Sequence, residues 1–282
     1  MEQTTLAAGQ GSITGVVSGG EAGRPLLVCI PGGSYNARYF DVPGYSFVAA
    51  ATERGFPVAA LNRPGYEGST ALAPPTFAGN AEAISSAIGQ LWETAGDGCP
   101  GVVLVGHSMG GAIAVHMASR PRSYPLLGIA ISAIHTDAPE GVKQAWNSMP
   151  ADISIEFNDE QRIQFMYGPE GTYDPTVVQA ATPACSPIPV AELLEVVDGW
   201  ITDFPNLAPA VDVPVHYGLA EHEQLWNSSQ DNVDAFAAAF TAAPAVSAHY
   251  VLGSGHNIDH HYRGADYRTN VLDWAQGLAG DA

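Results

Sequence analysis

The chain has few basic residues and no long apolar run. Its 282 residues include 10 lysines and arginines against 29 aspartates and glutamates, which gives a formal net charge of −19 at pH 7. No basic cluster is present, so nucleic-acid phosphates and anionic membrane surfaces would repel the chain. No apolar stretch reaches the roughly 18 residues of a membrane-spanning helix, and the first residues lack the pattern of a signal peptide. These absences predict a soluble, cytoplasmic protein that binds neither nucleic acid nor membrane.

Cysteine is also scarce. The three cysteines, Cys29, Cys99 and Cys185, are far apart in the sequence, and no Cys-x-x-Cys pair occurs. An odd number of widely spaced cysteines indicates neither a disulfide framework nor a zinc site. Cys29 lies in an apolar run and is expected to be a core residue.

Short apolar runs alternate with alanine-rich helical stretches, a pattern typical of a mostly parallel sheet flanked by helices. Hydrophobic residues make up 46% of the chain, which is enough for a full-sized core. The pattern predicts strands at 12–17, 25–30, 57–61, 101–105, 126–131, 213–217 and 248–252. It predicts helices at 45–54, 79–95, 110–119, 231–242 and 267–278, with an antiparallel edge hairpin between 4–8 and the first strand.

The stretch 134–209 breaks this rhythm. It is too long for a connection between neighbouring elements, and it has periodic apolar residues of its own. We therefore predict a helical lid at 134–209, inserted into a core formed by 1–133 and 210–282. Most of its apolar side chains are expected to pack against each other, whereas Met166 and Trp200 are predicted to contact substrate.

The most informative motif is Gly106-His107-Ser108-Met109-Gly110, between a predicted strand and a predicted helix. A strand, a sharp turn and a helix in this order hold a serine out at the end of the sheet. The motif therefore predicts that Ser108 is a nucleophile. The amide of Met109, at the start of the helix, is placed to donate to a developing oxyanion.

A second oxyanion donor is expected from the loop Pro31-Gly32-Gly33-Ser34-Tyr35, which follows the strand at 25–30. Two successive glycines let the backbone approach a substrate closely. The amide of Gly33 is the first choice as donor and that of Ser34 the next. The side chains of Ser34 and Tyr35 are predicted to contact substrate.

A serine nucleophile needs a histidine to accept its proton and a carboxylate to orient that histidine. His256 follows the last predicted strand in a glycine-rich loop, which makes it the expected base. Glu221, just past the strand at 213–217, is the expected acid, with Glu223 and Asp137 as alternatives. The order along the chain is then serine, acid, histidine.

A metal site built from His256, Asp259, His260 and His261 is an alternative interpretation of the same loop. No distant ligand accompanies this cluster in the sequence, and serine chemistry needs no metal. We therefore expect neither a metal nor a cofactor.

Taken together, these motifs resemble the α/β-hydrolase superfamily. The resemblance covers 25–121 and 213–278, and it includes Asn62-Arg63-Pro64-Gly65-Tyr66-Glu67-Gly68-Ser69, which is similar to the loop after the next sheet strand in this superfamily. Three positions depart from the common pattern. Asn62 replaces an aspartate, Pro31 stands where many members have histidine, and Glu221 would serve where aspartate is commoner.

The resemblance implies acyl transfer to water. We expect a serine hydrolase that cleaves a neutral, hydrophobic carboxylic ester, lactone or thioester through an acyl-enzyme on Ser108, with a small ester-like molecule as its binding partner. Two other functions remain open. One is a carbon–carbon bond hydrolase or a cyclase- or lyase-like tailoring enzyme with the same triad, and the other is a non-catalytic binding protein on this fold. The sequence predicts no oligomeric state.

Overall fold

A computed structural model describes residues 2–9 and 11–280. Met1, Gln10, Asp281 and Ala282, which belong to the predicted core segments 1–133 and 210–282, lie outside the described residues. Within the described part, no helix is both long enough and apolar enough to cross a membrane.

One eight-stranded sheet organises the molecule. Its strands are β1 (Glu2–Ala8), β2 (Gly11–Ser18), β3 (Leu26–Ile30), β4 (Val58–Leu61), β5 (Val102–His107), β6 (Leu126–Ser132), β9 (Val215–Ala220) and β10 (Val246–Val251). They are arranged in the order β1-β2-β4-β3-β5-β6-β9-β10. The β1–β2 and β2–β4 pairs are antiparallel, and every other pair is parallel. This confirms the predicted parallel sheet and its antiparallel edge hairpin.

Helices cover both faces of the sheet because alternate strand side chains point to opposite faces. In β3, Val28 packs on one face and Leu27 on the other, and both are fully buried. The first face is covered by α2 (Phe77–Ala95), α3 (Met109–Ala118) and α9 (Gln230–Ala238). The second is covered by α1 (Phe47–Glu53) and α10 (Gly264–Leu278). Helices α1, α2 and α9 each begin after an N-cap residue: Ser46, Thr76 and Ser229. The side chain of each accepts a hydrogen bond from a backbone amide in the first turn.

The chain between β6 and β9, residues 133–214, is called the β6–β9 segment below. It contains α4 (Glu140–Asn147), α5 (Asp159–Met166), α6 (Thr176–Ala180), α7 (Val190–Leu194) and α8 (Ile201–Leu207), and a small sheet of β7 (Ser154–Ile155) and β8 (Ile188–Pro189). A π-helical turn, Glu195–Trp200, joins α7 to α8. The predicted lid, 134–209, falls within this segment.

Candidate active site

The turn around Ser108 joins β5 to α3. Ser108 has φ 53° and ψ −122°, a left-handed conformation that costs a non-glycine residue energy. Its amide donates to the carbonyl of Ser132 at 2.7 Å, which fixes the turn against β6. A Cβ on Gly110 would lie 2.0 Å from the carbonyl oxygen of Ile30, so only glycine lets α3 begin this close to β3. The glycine therefore permits the position that Ser108 takes at the end of the sheet.

The loop after β3 passes directly over Ser108. A Cβ on Gly32 would lie 2.8 Å from the Cβ of Ser108, so this approach requires glycine. Gly33 and Met109 line the same cavity as Ser108. The Met109 amide, the first of α3, has no acceptor within the helix, and the Gly33 amide has no protein acceptor among the described residues. Two backbone donors are thus available beside the serine.

Arg63 contacts the loop that contains Gly32 and Gly33. Its Nη2 lies 3.3 Å from the carbonyl oxygen of Gly32 and 2.9 Å from Oε2 of Glu192, which is in the β6–β9 segment. The hydroxyl of Tyr66 donates to the same carboxylate oxygen at 2.8 Å. Arg63 and Glu192 are both fully buried, and the carboxylate raises the pKa of the guanidinium despite its burial. The Gly32 carbonyl belongs to the peptide whose N–H is the Gly33 amide, so this ion pair fixes that donor.

Glu223, and not Glu221, contacts the candidate base. Oε1 of Glu223 accepts from Nδ1 of His256 at 2.8 Å, and both side chains are buried. The same oxygen accepts the amides of Gln224 and Leu225, each at 3.2 Å. These bonds hold the carboxylate at the back of the imidazole, as the acid of a triad requires.

The prediction that Glu221 is the acid is wrong because β9 continues to Ala220, beyond the predicted end of that strand at 217. Glu221 therefore lies at the strand end, where its side chain is 36% exposed. Its Oε2 accepts the amide of Gly253 at 2.8 Å. Glu223 is the residue that turns inward. Asp137, the other alternative, is exposed, and its amide donates to Nδ1 of His135 at 2.9 Å.

Ser108 and His256 line one cavity, with exposures of 8% and 2%. Among the described residues, no hydrogen bond joins the Ser108 hydroxyl to another side chain. Hydrogen bonds of this kind often form only when substrate is bound. The arrangement brings Ser108, His256, Glu223 and two backbone amide donors together at the carboxyl end of the parallel strands.

His107 was missed by the sequence reasoning, although it directly precedes Ser108. Its Nε2 lies 3.1 Å from the main-chain carbonyl of His256, and its ring stacks on Tyr39 with centroids 4.2 Å apart. Burial lowers the pKa of His107 well below its ordinary value, so the ring is neutral near pH 7. Since a carbonyl can only accept, Nε2–H is the donor. This bond joins the turn that contains Ser108 to the loop that contains His256.

The neighbouring histidines also hold this loop. Nδ1 of His261 donates to the carbonyl of Asn257 at 2.8 Å, and its Nε2 accepts the amide of Gly255 at 2.9 Å. Burial lowers the pKa of His261 to about 4 and that of His260 to about 3. Nε2 of His260 donates to the carbonyl of Tyr39 at 3.2 Å. Both rings are thus engaged with the backbone.

Asp259, the remaining member of the alternative metal cluster, is buried. Burial raises the pKa of its carboxyl to about 6. The hydroxyl of Tyr39 lies 3.5 Å from Oδ2, and Arg268 donates to the main-chain oxygen of Asp259. Within residues 2–9 and 11–280, no group of three or more histidines, cysteines or acidic residues is arranged to bind a metal ion.

The cavity beside Ser108, called the inner cavity below, has a volume of about 30 Å³, roughly the space of one water molecule. Its lining is mainly apolar and comes largely from the β6–β9 segment and the chain after β9: Gly33, Ser34, Ser108, Met109, Trp146, Phe157, Met166, Ile188, Leu193, Val196, Leu225, Trp226 and His256. Of the predicted substrate contacts, Ser34 and Met166 therefore lie at the cavity.

Tyr35 and Trp200 do not line this cavity, which corrects two predicted contacts. The hydroxyl of Tyr35 accepts a hydrogen bond from Nδ2 of Asn257 at 2.8 Å, so this side chain stabilises the loop that contains His256. The indole of Trp200 donates to the carbonyl of His135 at 2.8 Å and packs against Phe204. Both aromatic rings are buried where they stabilise the walls instead of facing the serine.

Comparison with known proteins agrees with this fold. The model of the alpha/beta hydrolase family matches residues 27–268. The chain belongs to this family. A search of curated proteins found no match for the sequence of this hydrolase.

Solved structures match over almost the entire length of the hydrolase. An esterase from Thermogutta terrifontis has a TM-score of 0.72 at 16% identity, with 99% of this chain and 100% of that chain covered. An esterase from Exiguobacterium antarcticum has a TM-score of 0.72 at 14% identity, covering 98% and 100%. A bromoperoxidase from Bacillus anthracis has a TM-score of 0.68 at 16% identity, covering 98% and 99%. At such low identity these likenesses show the fold alone, and the names attached to it differ in activity.

Proposed function

We propose that this hydrolase cleaves a neutral carboxylic ester through an acyl-enzyme on Ser108. The observation that carries the proposal is the contact between His256 and buried Glu223 at 2.8 Å, in a cavity that also contains Ser108. Glu223 fixes the imidazole with Nδ1 protonated, which leaves Nε2 to accept the proton of the serine hydroxyl.

In the first step the Ser108 oxygen attacks the substrate carbonyl while Nε2 of His256 takes the hydroxyl proton. The negative charge that develops on the carbonyl oxygen is stabilised by the amides of Met109 and Gly33, each worth roughly 3 kcal/mol of barrier. His256 then protonates the departing alcohol, and the acyl group stays on Ser108. Water, deprotonated by His256, then attacks this ester. The imidazolium returns the proton to the departing Ser108 oxygen, and the acid is released.

The apolar lining of the inner cavity supports a hydrophobic acyl group. Trp146, Phe157 and Leu193, all from the β6–β9 segment, contribute to this lining. With about 30 Å³ available, an acyl chain needs these side chains to move before it can enter. We therefore propose that the segment acts as the lid of the site, with substrate-driven opening.

The deciding experiment is labelling with a fluorophosphonate, followed by intact-mass measurement and peptide mapping. The wild type should gain one adduct on the peptide that contains Ser108, and Ser108→Ala should gain none. Ester turnover in Ser108→Ala should fall roughly 10⁴-fold or more, while the melting temperature stays within a few degrees.

A folded wild type without an adduct at Ser108 would overturn the nucleophile assignment. That result would favour the non-catalytic binding protein on this fold. Labelling of Ser108 without turnover of any ester would instead favour the carbon–carbon bond hydrolase or a tailoring reaction.

A further inference from the structure

A second cavity of about 270 Å³ adjoins the inner cavity and is called the outer cavity below. The two share Ser34 and Phe157 as lining residues, so they lie on either side of these residues. When the substrate carbonyl lies at Ser108, one half of the substrate can extend into the apolar inner cavity. The other half can extend past Ser34 toward the outer cavity. The volume of the outer cavity is about nine times that of the inner cavity, and about half of its lining is polar.

Ser34 stands at this junction in an unfavourable conformation. Its φ is 60°, in the left-handed region where glycine is the unstrained residue. The side chain is 6% exposed, and its hydroxyl has no hydrogen-bond partner within the described part of the chain. A strained backbone that presents an accessible, unpaired hydroxyl to two cavities is typical of a ligand contact.

A second hydroxyl lies beside the first. The amide of Ser186 donates to the carbonyl of Ser34 at 2.8 Å, which keeps the two serines adjacent on one wall. The Oγ of Ser186 accepts from Nδ2 of Asn36 at 3.3 Å, so its own hydrogen is available to a ligand. This wall can therefore donate two hydrogen bonds to a group that carries oxygen acceptors.

The charges of the outer cavity disfavour an anionic ligand. Arg162 is the cation in its lining, and it is 4% exposed. The N–H groups of its two terminal nitrogens are bound to protein acceptors: the carbonyl of Val178 at 3.1 Å, Sγ of Cys185 at 3.0 Å, Oγ1 of Thr182 at 3.2 Å and the carboxylate of Asp159. Glu156 and Asp159 add two carboxylates to the lining. The charge of Arg162 is thus balanced by Asp159, and Glu156 leaves the lining with an excess of negative charge.

We propose that the outer cavity binds the alcohol half of the ester, and that this alcohol is small, uncharged and bears hydroxyl groups of its own. Ser34 and Ser186 are its hydrogen-bonding partners, and the acyl half occupies the apolar inner cavity. This assignment rests on the proposed ester hydrolysis.

Three butanoate esters that differ only in the alcohol test the assignment. The 2,3-dihydroxypropyl ester should have a kcat/KM about tenfold above that of the propyl ester. The 2-carboxyethyl ester should be the poorest of the three, since its carboxylate would face Glu156 and an Arg162 guanidinium that is already paired with Asp159. Equal values for the dihydroxypropyl and propyl esters, or a preference for the carboxylate, would overturn the proposal.

Variants then assign the preference to the two hydroxyls. In Ser34→Ala and in Ser186→Ala the ratio of kcat/KM between the dihydroxypropyl and propyl esters should fall about threefold each, and in the double variant to near one. Ser148→Ala is the matched control, because Ser148 is exposed on the β6–β9 segment and its hydroxyl donates to the carbonyl of Ala145, away from both cavities. A double variant that keeps the wild-type ratio would show that other groups bind the alcohol.

Ser34→Gly separates the hydroxyl from the backbone conformation. Glycine removes the strain at φ 60° that alanine retains, so Ser34→Gly should melt at or above the temperature of Ser34→Ala and lose the preference to the same extent. A preference that survives in one of these two variants would count against the hydroxyl. Fluorophosphonate labelling of Ser108 in every variant distinguishes failure of the subsite, where labelling persists, from failure of the proposed hydrolysis, where it is absent.

Discussion

Two glutamates separated by one residue have very different surroundings. Glu223 is buried and bonds to the imidazole of His256 and to two backbone amides. Glu221 is partly exposed, 3.6 Å from Nε2 of His222 and bonded to the amide of Gly253. A carboxylate can stabilise an imidazolium only where it is held against the ring and away from water.

Glu223→Gln should reduce kcat by roughly 10³- to 10⁴-fold, because an amide at this position no longer stabilises the charged imidazole or its reactive tautomer. Glu221→Gln, the matched control, should change kcat less than tenfold. Steady-state kinetics with one ester, together with melting temperatures, measures both. A larger loss for Glu221→Gln would return the acid role to that residue.

The sequence identified Ser108, His256 and the glycine loop because each has a local signal, a motif or a loop after a strand. The acid has no such signal. Its identity depends on where β9 ends, and a boundary shift of a few residues changes which glutamate turns inward. The bond from His107 to the carbonyl of His256 joins residues 149 apart in sequence, so no local pattern could indicate it.

At the scale of secondary-structure elements, the buried pair of Arg63 and Glu192 connects the loop after β4 to α7. This ion pair joins the sheet core to the β6–β9 segment, and Arg63 also contacts the carbonyl of Gly32. A charge buried this deeply is tolerated only while its partner is present.

Glu192→Gln should lower the free energy of unfolding by about 3–5 kcal/mol, since it leaves the Arg63 guanidinium buried without a counter-charge. Glu195→Gln is the control. Glu195 is one turn further along and only partly buried, and its Oε1 accepts the amide of Phe77 at 3.0 Å, a bond that glutamine can also make. The free energy of unfolding of Glu195→Gln should stay within about 1 kcal/mol of the wild-type value. Urea unfolding measures both variants, and equal losses would contradict a special role for the ion pair.

Helices and strands of the core were predictable because their apolar periodicity is local and strong. The β6–β9 segment was recognised from its length, but its short helices, two-residue strands and π-helical turn have no distinct period. Periodicity also could not show that Trp200 packs inside the segment and Phe157 at the cavities, since both belong to apolar faces. The contacts between elements decide such cases.

At the scale of the whole molecule, several histidines are buried in a neutral state. His216 is a clear case, because both ring nitrogens lack hydrogen-bond partners among the described residues and its ring stacks on His249 at 4.6 Å. Burial lowers its pKa to about 3, and that of His116 to about 4. The unfolded chain takes up these protons near pH 6.5, whereas the folded chain does not.

The free energy of unfolding should therefore decrease as the pH falls from about 6.5 toward 4, because the unfolded state then binds more protons. His216→Phe should reduce the loss of stability between pH 7 and pH 4 by roughly 3 kcal/mol. Urea unfolding of wild type and variant at both pH values measures the difference, in which any packing change at constant pH cancels. Parallel losses in the two proteins would contradict the burial argument.

The charges that are not buried determine how copies of the molecule interact with each other. Arg63, Arg162 and Arg268 are buried, and so are Glu192, Glu223 and Asp259. Burial thus removes equal numbers of each sign, and the net charge of −19 is carried by the rest of the chain. At physiological salt this excess acts over a screening distance of about 8 Å. The molecules consequently keep apart in concentrated solution, where colloidal repulsion opposes their aggregation.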